Sequence, residues 1–238
     1  MTGAAVEQGV DQEMVRLTAA DGFELDAWLA TPAGRPRGGL VIAQEMYGVT
    51  DYLKRVTAFY AGQGYLAITP ALYDRRERGT VLAYNEAARD RVHELYKSME
   101  WDKSLLDLDA GRRFVAKAGS DISLKTAIVG FCWGGSLAWM AACRGDYQAA
   151  VAYYGSAMPD YAGETPRCPV IAHVGDLDTS FPPPRVAAFR AAQPDVPVYS
   201  YPDTPHGFDN ETRPARYRPA AHRLARERTL AFLGQYIG

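Results

Sequence analysis

The chain has 238 residues, 47% of them hydrophobic and 23% charged, with 28 acidic side chains nearly balanced by 26 basic ones. That length can bury a large core as one domain over 1–238, and near-neutral charge without blocks of one sign excludes a nucleic-acid footprint and a polybasic membrane patch. The opening MTGAAVEQGVDQEMV lacks a basic n-region and an apolar h-region, and no stretch approaches the roughly 20 apolar residues of a membrane span, so the reading is a cytoplasmic protein, monomeric or a small homo-oligomer, with a small-molecule partner.

About the first ten residues are expected to be disordered. Residues 13–18 (EMVRLT) and 23–30 (FELDAWLA) then alternate apolar and polar around Ala-Asp-Gly, which predicts an antiparallel hairpin. The pattern changes to short apolar runs at 40–44, 65–69, 126–130, 150–155 and 169–175. Helical periodicity separates them, over about 51–62, 85–98, 102–117, 134–144 and 184–192, with a last helix over about 219–236. Near-continuous apolar strands alternating with helices predict an α/β fold with a mostly parallel, twisted sheet and helices on both faces. The segment from Tyr73 to Trp101, dense in charge and aromatics, reads either as a lid or pocket wall or as a solvated helix face.

The cysteines, Cys132, Cys143 and Cys168, are odd in number and widely spaced. They form neither a disulfide framework nor a C-x-x-C site, so reduced thiols are expected, with no metal and no cofactor. Cys132 stands apart, because Gly130-Phe131-Cys132-Trp133-Gly134 follows a predicted strand and precedes a predicted helix. That is the setting of a nucleophile elbow, in which glycines relieve a strained turn and the helix N-terminus offers N–H donors that favour a thiolate. Cys143 and Cys168 are expected to pack in the interior.

A nucleophile of this kind needs a base and a residue that orients it, each just after a strand at the carboxyl edge of the sheet. Asp176-Leu177-Asp178 follows one strand, and His206 sits in Thr204-Pro205-His206-Gly207-Phe208 after VPVYSYP. Asp178 is preferred, since Gly175-Asp176 suits a tight turn. His173 falls inside an apolar strand, and His93 and His222 fall on polar helices, which leaves His206 as the base. The loop Gln44-Glu45-Met46-Tyr47-Gly48 is placed to supply an oxyanion hole from the Met46 amide together with that of Trp133. Glu45 ends a buried strand, where a lone carboxylate is costly; it either contacts the thiol as its proton acceptor or pairs with an arginine, and the first is favoured.

On QEMYG, GFCWGG, AYYG, HVGDLD, PHGF, ERTLAFL and LYDRRERGT, spread over nearly the whole chain, the sequence resembles the dienelactone hydrolase family (carboxymethylenebutenolidases) of the α/β-hydrolase fold. The resemblance implies Cys132 as nucleophile, Asp178 as acid, His206 as base and Glu45 as the activator of the thiol. It further implies a carboxylated enol-lactone or related ester as substrate and a thioester acyl-enzyme. Arg89 corresponds to one arginine that binds the substrate carboxylate. The second is missing, with Asn210 in its place and Arg213 as a candidate substitute. His93 stands where the family has a tyrosine, Tyr154 matches a pocket tyrosine, and Tyr47 and Trp133 could form aromatic walls. A glutamine amidotransferase would need His-x-Glu, whereas Gly207-Phe208 follows His206, and a non-catalytic thiol sensor or binder would not need the complete acid, histidine and oxyanion loop.

Overall fold

The apolar runs form the centre of one eight-stranded sheet in the computed structural model, which describes residues 9–117 and 123–238. The strands are β1 (Asp11–Thr18), β2 (Glu24–Thr31), β3 (Gly39–Ala43), β4 (Leu66–Pro70), β5 (Thr126–Phe131), β6 (Ala149–Tyr153), β7 (Val170–Gly175) and β8 (Val198–Tyr201), in the order β1-β2-β4-β3-β5-β6-β7-β8. β1 and β2 form the expected hairpin and join β4 antiparallel, and every other pairing is parallel. Expected disorder at the N-terminus falls chiefly on residues 1–8, which lie outside the described residues.

The helices are α1 (Asp51–Gly62), α2 (Arg89–Ser98), α3 (Trp101–Lys117), α4 (Trp133–Arg144), α5 (Pro183–Ala192) and α6 (Pro219–Tyr236). Side chains alternate across a strand, so β3 sends Val41 and Ala43 into one core with Leu108, Leu137 and Phe189 of α3, α4 and α5. It sends Leu40 and Ile42 into a second core with Tyr52, Val56 and Leu233 of α1 and α6. Both faces being covered, β3, β5, β6 and β7 are buried at every residue. Among the described residues no helix is long and apolar enough to cross a membrane.

Two of the boundary shifts have a local cause. The helix predicted from Asn85 begins instead as a 3₁₀ turn, Glu86–Ala88, because the Asn85 side chain accepts from the Ala88 amide at 3.0 Å and tightens the turn; α2 starts only at Arg89. β6 stops at Tyr153 because Tyr154 adopts φ +40°, a left-handed conformation that no strand continues.

His173 is a core residue, as its strand position predicts. Its ring nitrogens lie 2.8 Å from the Tyr201 hydroxyl and 3.1 Å from Thr229 Oγ1. Burial, helped by the nearby Arg228 charge, lowers its pKa to about 3. The unfolded chain binds this proton below about pH 6.5 and the folded chain does not, so folding stability drains away as pH falls from there towards 3, by about 1.4 kcal/mol per pH unit. Urea titrations at pH 7 and pH 5 should therefore show the wild type losing about 2 kcal/mol more than His173→Gln; equal losses would refute it.

Candidate active site

The carboxyl ends of β3, β5, β6, β7 and β8 lie side by side, and each delivers a loop to one place. Cys132, directly after β5, has φ +57° and ψ −117°, and its amide donates to Tyr153 O at 3.0 Å. This turn explains the flanking glycines. A Cβ on Gly130 would lie 1.8 Å from Gly134 O, and one on Gly134 would lie 2.2 Å from Ala43 O. The chain reverses without side chains in those positions, leaving Cys132 part-exposed at the N-terminus of α4, in a cavity of about 640 Å³.

His206 Nδ1 donates to Asp178 Oδ2 at 2.7 Å. The other carboxylate oxygen, Oδ1, accepts the Ser180 and Phe181 amides at 2.8 and 3.0 Å, so Asp178 is held with Oδ2 turned to the imidazole. Asp176 is exposed and accepts the Thr204 amide at 3.2 Å, the turn role its sequence context predicts. Burial lowers the proton affinity of His206, but the charge Cys132 acquires on ionising and hydrogen bonds with Asp178 and Cys132 outweigh it and raise the pKa to about 10. The imidazole therefore holds its proton more tightly once Cys132 is ionised.

The His206 loop is anchored from below by Asp209. Its buried Oδ2 accepts from the Tyr52 hydroxyl at 2.8 Å and from Arg226 at 3.1 Å, and Oδ1 lies 2.9 Å from His222 Nδ1. Burial works against this carboxylate, yet Arg226 and His222 hold it well below the usual range. Met46 and Trp133 occupy the corner where β3 and β5 end. The Gly134 amide donates to Gln44 O at 3.0 Å, joining the two loops, and the Tyr73 hydroxyl donates to Met46 O at 2.8 Å. Trp133 opens α4, where an amide has no acceptor within its own helix, and the Met46 amide donates to no acceptor among the described residues.

Glu45 is buried, and burial raises its pKa against the opposing effects of Tyr84, Arg213, His206 and Asn210. It contacts neither the thiol nor an arginine in a direct bond. Oε2 accepts instead from the Tyr84 hydroxyl at 2.8 Å and from Asn210 Nδ2 at 3.4 Å. A separate cavity of about 680 Å³ between α3 and α4 holds Arg144, which is already paired with Asp102 and Glu164 and faces no nucleophile.

A family model, the dienelactone hydrolase family, matches residues 25–237. The chain belongs to that family. It is 31% identical over 227 residues to the carboxymethylenebutenolidase of Pseudomonas putida, with 93% of this chain and 95% of the relative covered. The same figures hold for the carboxymethylenebutenolidase of Pseudomonas knackmussii. Among solved structures, a proposed dienelactone hydrolase of Klebsiella pneumoniae subsp. pneumoniae superposes with a TM-score of 0.85 at 26% identity, covering 96% of this chain and all of that one. The protein is thus an α/β-hydrolase-fold enzyme of the dienelactone hydrolase type.

Within this dienelactone hydrolase fold, Cys132, His206, Glu45, Met46, Tyr47, Trp133, Arg89, His93 and Arg213 all border one cavity. Two residues expected against substrate do not. Asn210 is wholly buried, its Nδ2 on Glu45 and its Oδ1 on the Thr212 amide and hydroxyl, so it supports Glu45 from behind. Tyr154 is buried too, packing its ring edge-on against the His206 imidazole at 5.0 Å. Arg89 is exposed at the rim and paired with Glu86 at 2.8 Å. The segment 73–101 proves to be a pocket wall, contributing Tyr84 and Tyr96. Sequence reasoning missed those two as individuals, together with Arg216 and Asp209. The wall was legible as a segment, but its irregular chain has no periodicity to say which aromatic faces inward.

Proposed function

We propose that this hydrolase works through Cys132 as a thiol nucleophile and opens a carboxylated enol-lactone or related ester by way of a thioester. The observation that carries this reading is the part-buried Asp178–His206 hydrogen bond of 2.7 Å, with the imidazole turned to a part-exposed thiol at a strained elbow.

The chemistry follows from the groups present. Glu45 borders the same cavity and is the acceptor assigned to the thiol proton, and the charge Cys132 then carries holds a proton on His206. The thiolate sulfur attacks the carbonyl carbon, and the oxyanion meets the Met46 and Trp133 amides. As the tetrahedral intermediate collapses, the acyl C–O bond breaks and His206 gives its proton to the departing enolate oxygen. Thioester formation removes the thiolate charge that helped hold the proton on His206. The neutral imidazole then takes a proton from water, whose oxygen attacks the thioester. Cleavage of the C–S bond frees the acid, and Cys132 recovers its proton from Glu45.

The relatives, both carboxymethylenebutenolidases, support an anionic substrate, and the pocket offers cations for it. Arg213 and Arg216 border the cavity, and neither forms an ion pair with a described residue. Arg213 rests 5.5 and 5.1 Å from the ring centres of Tyr47 and Tyr84, poised for a carboxylate. Comparing kcat/KM for trans-dienelactone and for p-nitrophenyl acetate, Arg213→Gln should lower the anionic-to-neutral ratio by about 10- to 100-fold. Arg89→Gln, already paired on the rim, should lower it far less. A ratio unchanged in Arg213→Gln and Arg216→Gln alike would remove the case for a carboxylated substrate.

A further inference from the structure

Glu45 is a buried carboxylate at the end of β3, and a charge there would bind a proton unless donors stabilised it. Both of its donors fall on one oxygen. Tyr84 and Asn210 meet Oε2, while no described residue donates to Oε1.

The Tyr84 oxygen also lies 3.1 Å from Thr50 Oγ1. Either hydroxyl could donate in isolation, but an ionised Glu45 can only accept. Tyr84 must then send its proton to Glu45 and receive that of Thr50. Thr50 in turn is the N-cap of α1, accepting the Leu53 amide at 3.4 Å. The bonds run one way, from the first turn of α1 through Thr50 and Tyr84 to Glu45, and each polarises the next. Burial and the adjacent Glu45 charge push the Tyr84 pKa far above its ordinary value, so it remains a donor throughout the working pH range.

Tyr84 does not depend on Glu45 for its place. The wall segment is tied to the β3 loop by the Gly48–Val81 bridge and by the Leu82 amide donating to Tyr47 O at 2.9 Å. The ring of Tyr84 lies 4.2 Å from that of Tyr47. We propose that Tyr84 is a positioning residue for the reaction, whose hydroxyl holds Glu45 as a carboxylate with Oε2 anchored and Oε1 free to take a proton. This rests on the reading of Glu45 as the acceptor of the Cys132 proton. The other groups facing Glu45 are Arg213 and His206 from the loop after β8, Tyr52 of α1 and Tyr154 after β6. None of them is altered by loss of the Tyr84 hydroxyl.

The test is the pH profile of kcat and KM for p-nitrophenyl acetate in Tyr84→Phe, Glu45→Gln and the wild type. Removing a donor to the charged form raises the Glu45 pKa, so the acidic limb of kcat/KM in Tyr84→Phe should move about one unit to higher pH. Activity below the limb then falls about tenfold, with KM on the plateau and the melting temperature unchanged. Thr50→Val should move the limb the same way, and Thr50→Ser should restore it. Glu45→Gln should abolish the limb and lower kcat at every pH. If Glu45→Gln removes the limb but Tyr84→Phe leaves it in place, or changes KM alone, Tyr84 is only a wall residue and the proposal falls while the role of Glu45 stands. A Glu45→Gln enzyme with the wild-type limb and kcat would overturn the role of Glu45 itself, and the proposal with it.

Discussion

Cys132→Ala should lower kcat/KM for both trans-dienelactone and p-nitrophenyl acetate by roughly 10⁴-fold or more, with circular dichroism and melting temperature unchanged. Alanine and cysteine share a Cβ, so the backbone at φ +57° is no more strained in the variant, and the part-exposed thiol leaves only a small void. The reaction loses its nucleophile while the oxyanion corner and the pocket persist, and these account for the residual rate. Alkylation gives a second readout. Burial lifts Cys143 to about 12 and Cys168 to about 11, with the Glu164 charge adding to the first, so neither is a thiolate at neutral pH. Iodoacetamide should therefore inactivate the wild type with one equivalent bound, whereas Cys132→Ala should bind none. Cys132→Ser should keep little activity, because a hydroxyl ionises far less readily than a thiol beside Glu45 and His206. Turnover retained in full by Cys132→Ala would sink the thiol mechanism.

The second large effect is expected at Asp178. In Asp178→Asn the Ser180 and Phe181 amides still require an acceptor, so the amide oxygen stays on them and the NH₂ group turns to His206 Nδ1. That nitrogen must then accept rather than donate. The imidazole is locked in the tautomer with its proton on Nε2, and the imidazolium loses its counter-charge. A loss of about 10³- to 10⁴-fold in kcat is expected, with KM for p-nitrophenyl acetate little changed, because Asp178 lies behind His206 and touches no substrate. His206→Ala should cost about as much, and the double variant scarcely more, since the pair acts as a unit. Independent, additive losses would show that the two side chains do not share one proton path.

How much of this was legible in the chain depends on the kind of physics involved. Continuous apolar strands, the hairpin and the Gly-x-Cys-x-Gly turn are dictated locally, by burial on two faces and by the room a reversed backbone leaves beside Cys132. For the same reason the order of Cys132, Asp178 and His206 was legible, since each lies in the segment that follows a strand of one parallel sheet, and the choice of Asp178 over Asp176 rested on the turn that Gly175 begins. Glu45 was legible as an anomaly, a carboxylate ending a buried strand, but its partners were not. Tyr84 is 39 residues away and Asn210 is 165, both in irregular chain whose facing is set by packing and by no period. Asn210, read from the sequence as a gap in substrate binding, is in the fold a buried support for Glu45. The cations that the loop after β8 turns to the pocket are Arg213 and Arg216, because only the folded loop decides which side chains of that run face inward.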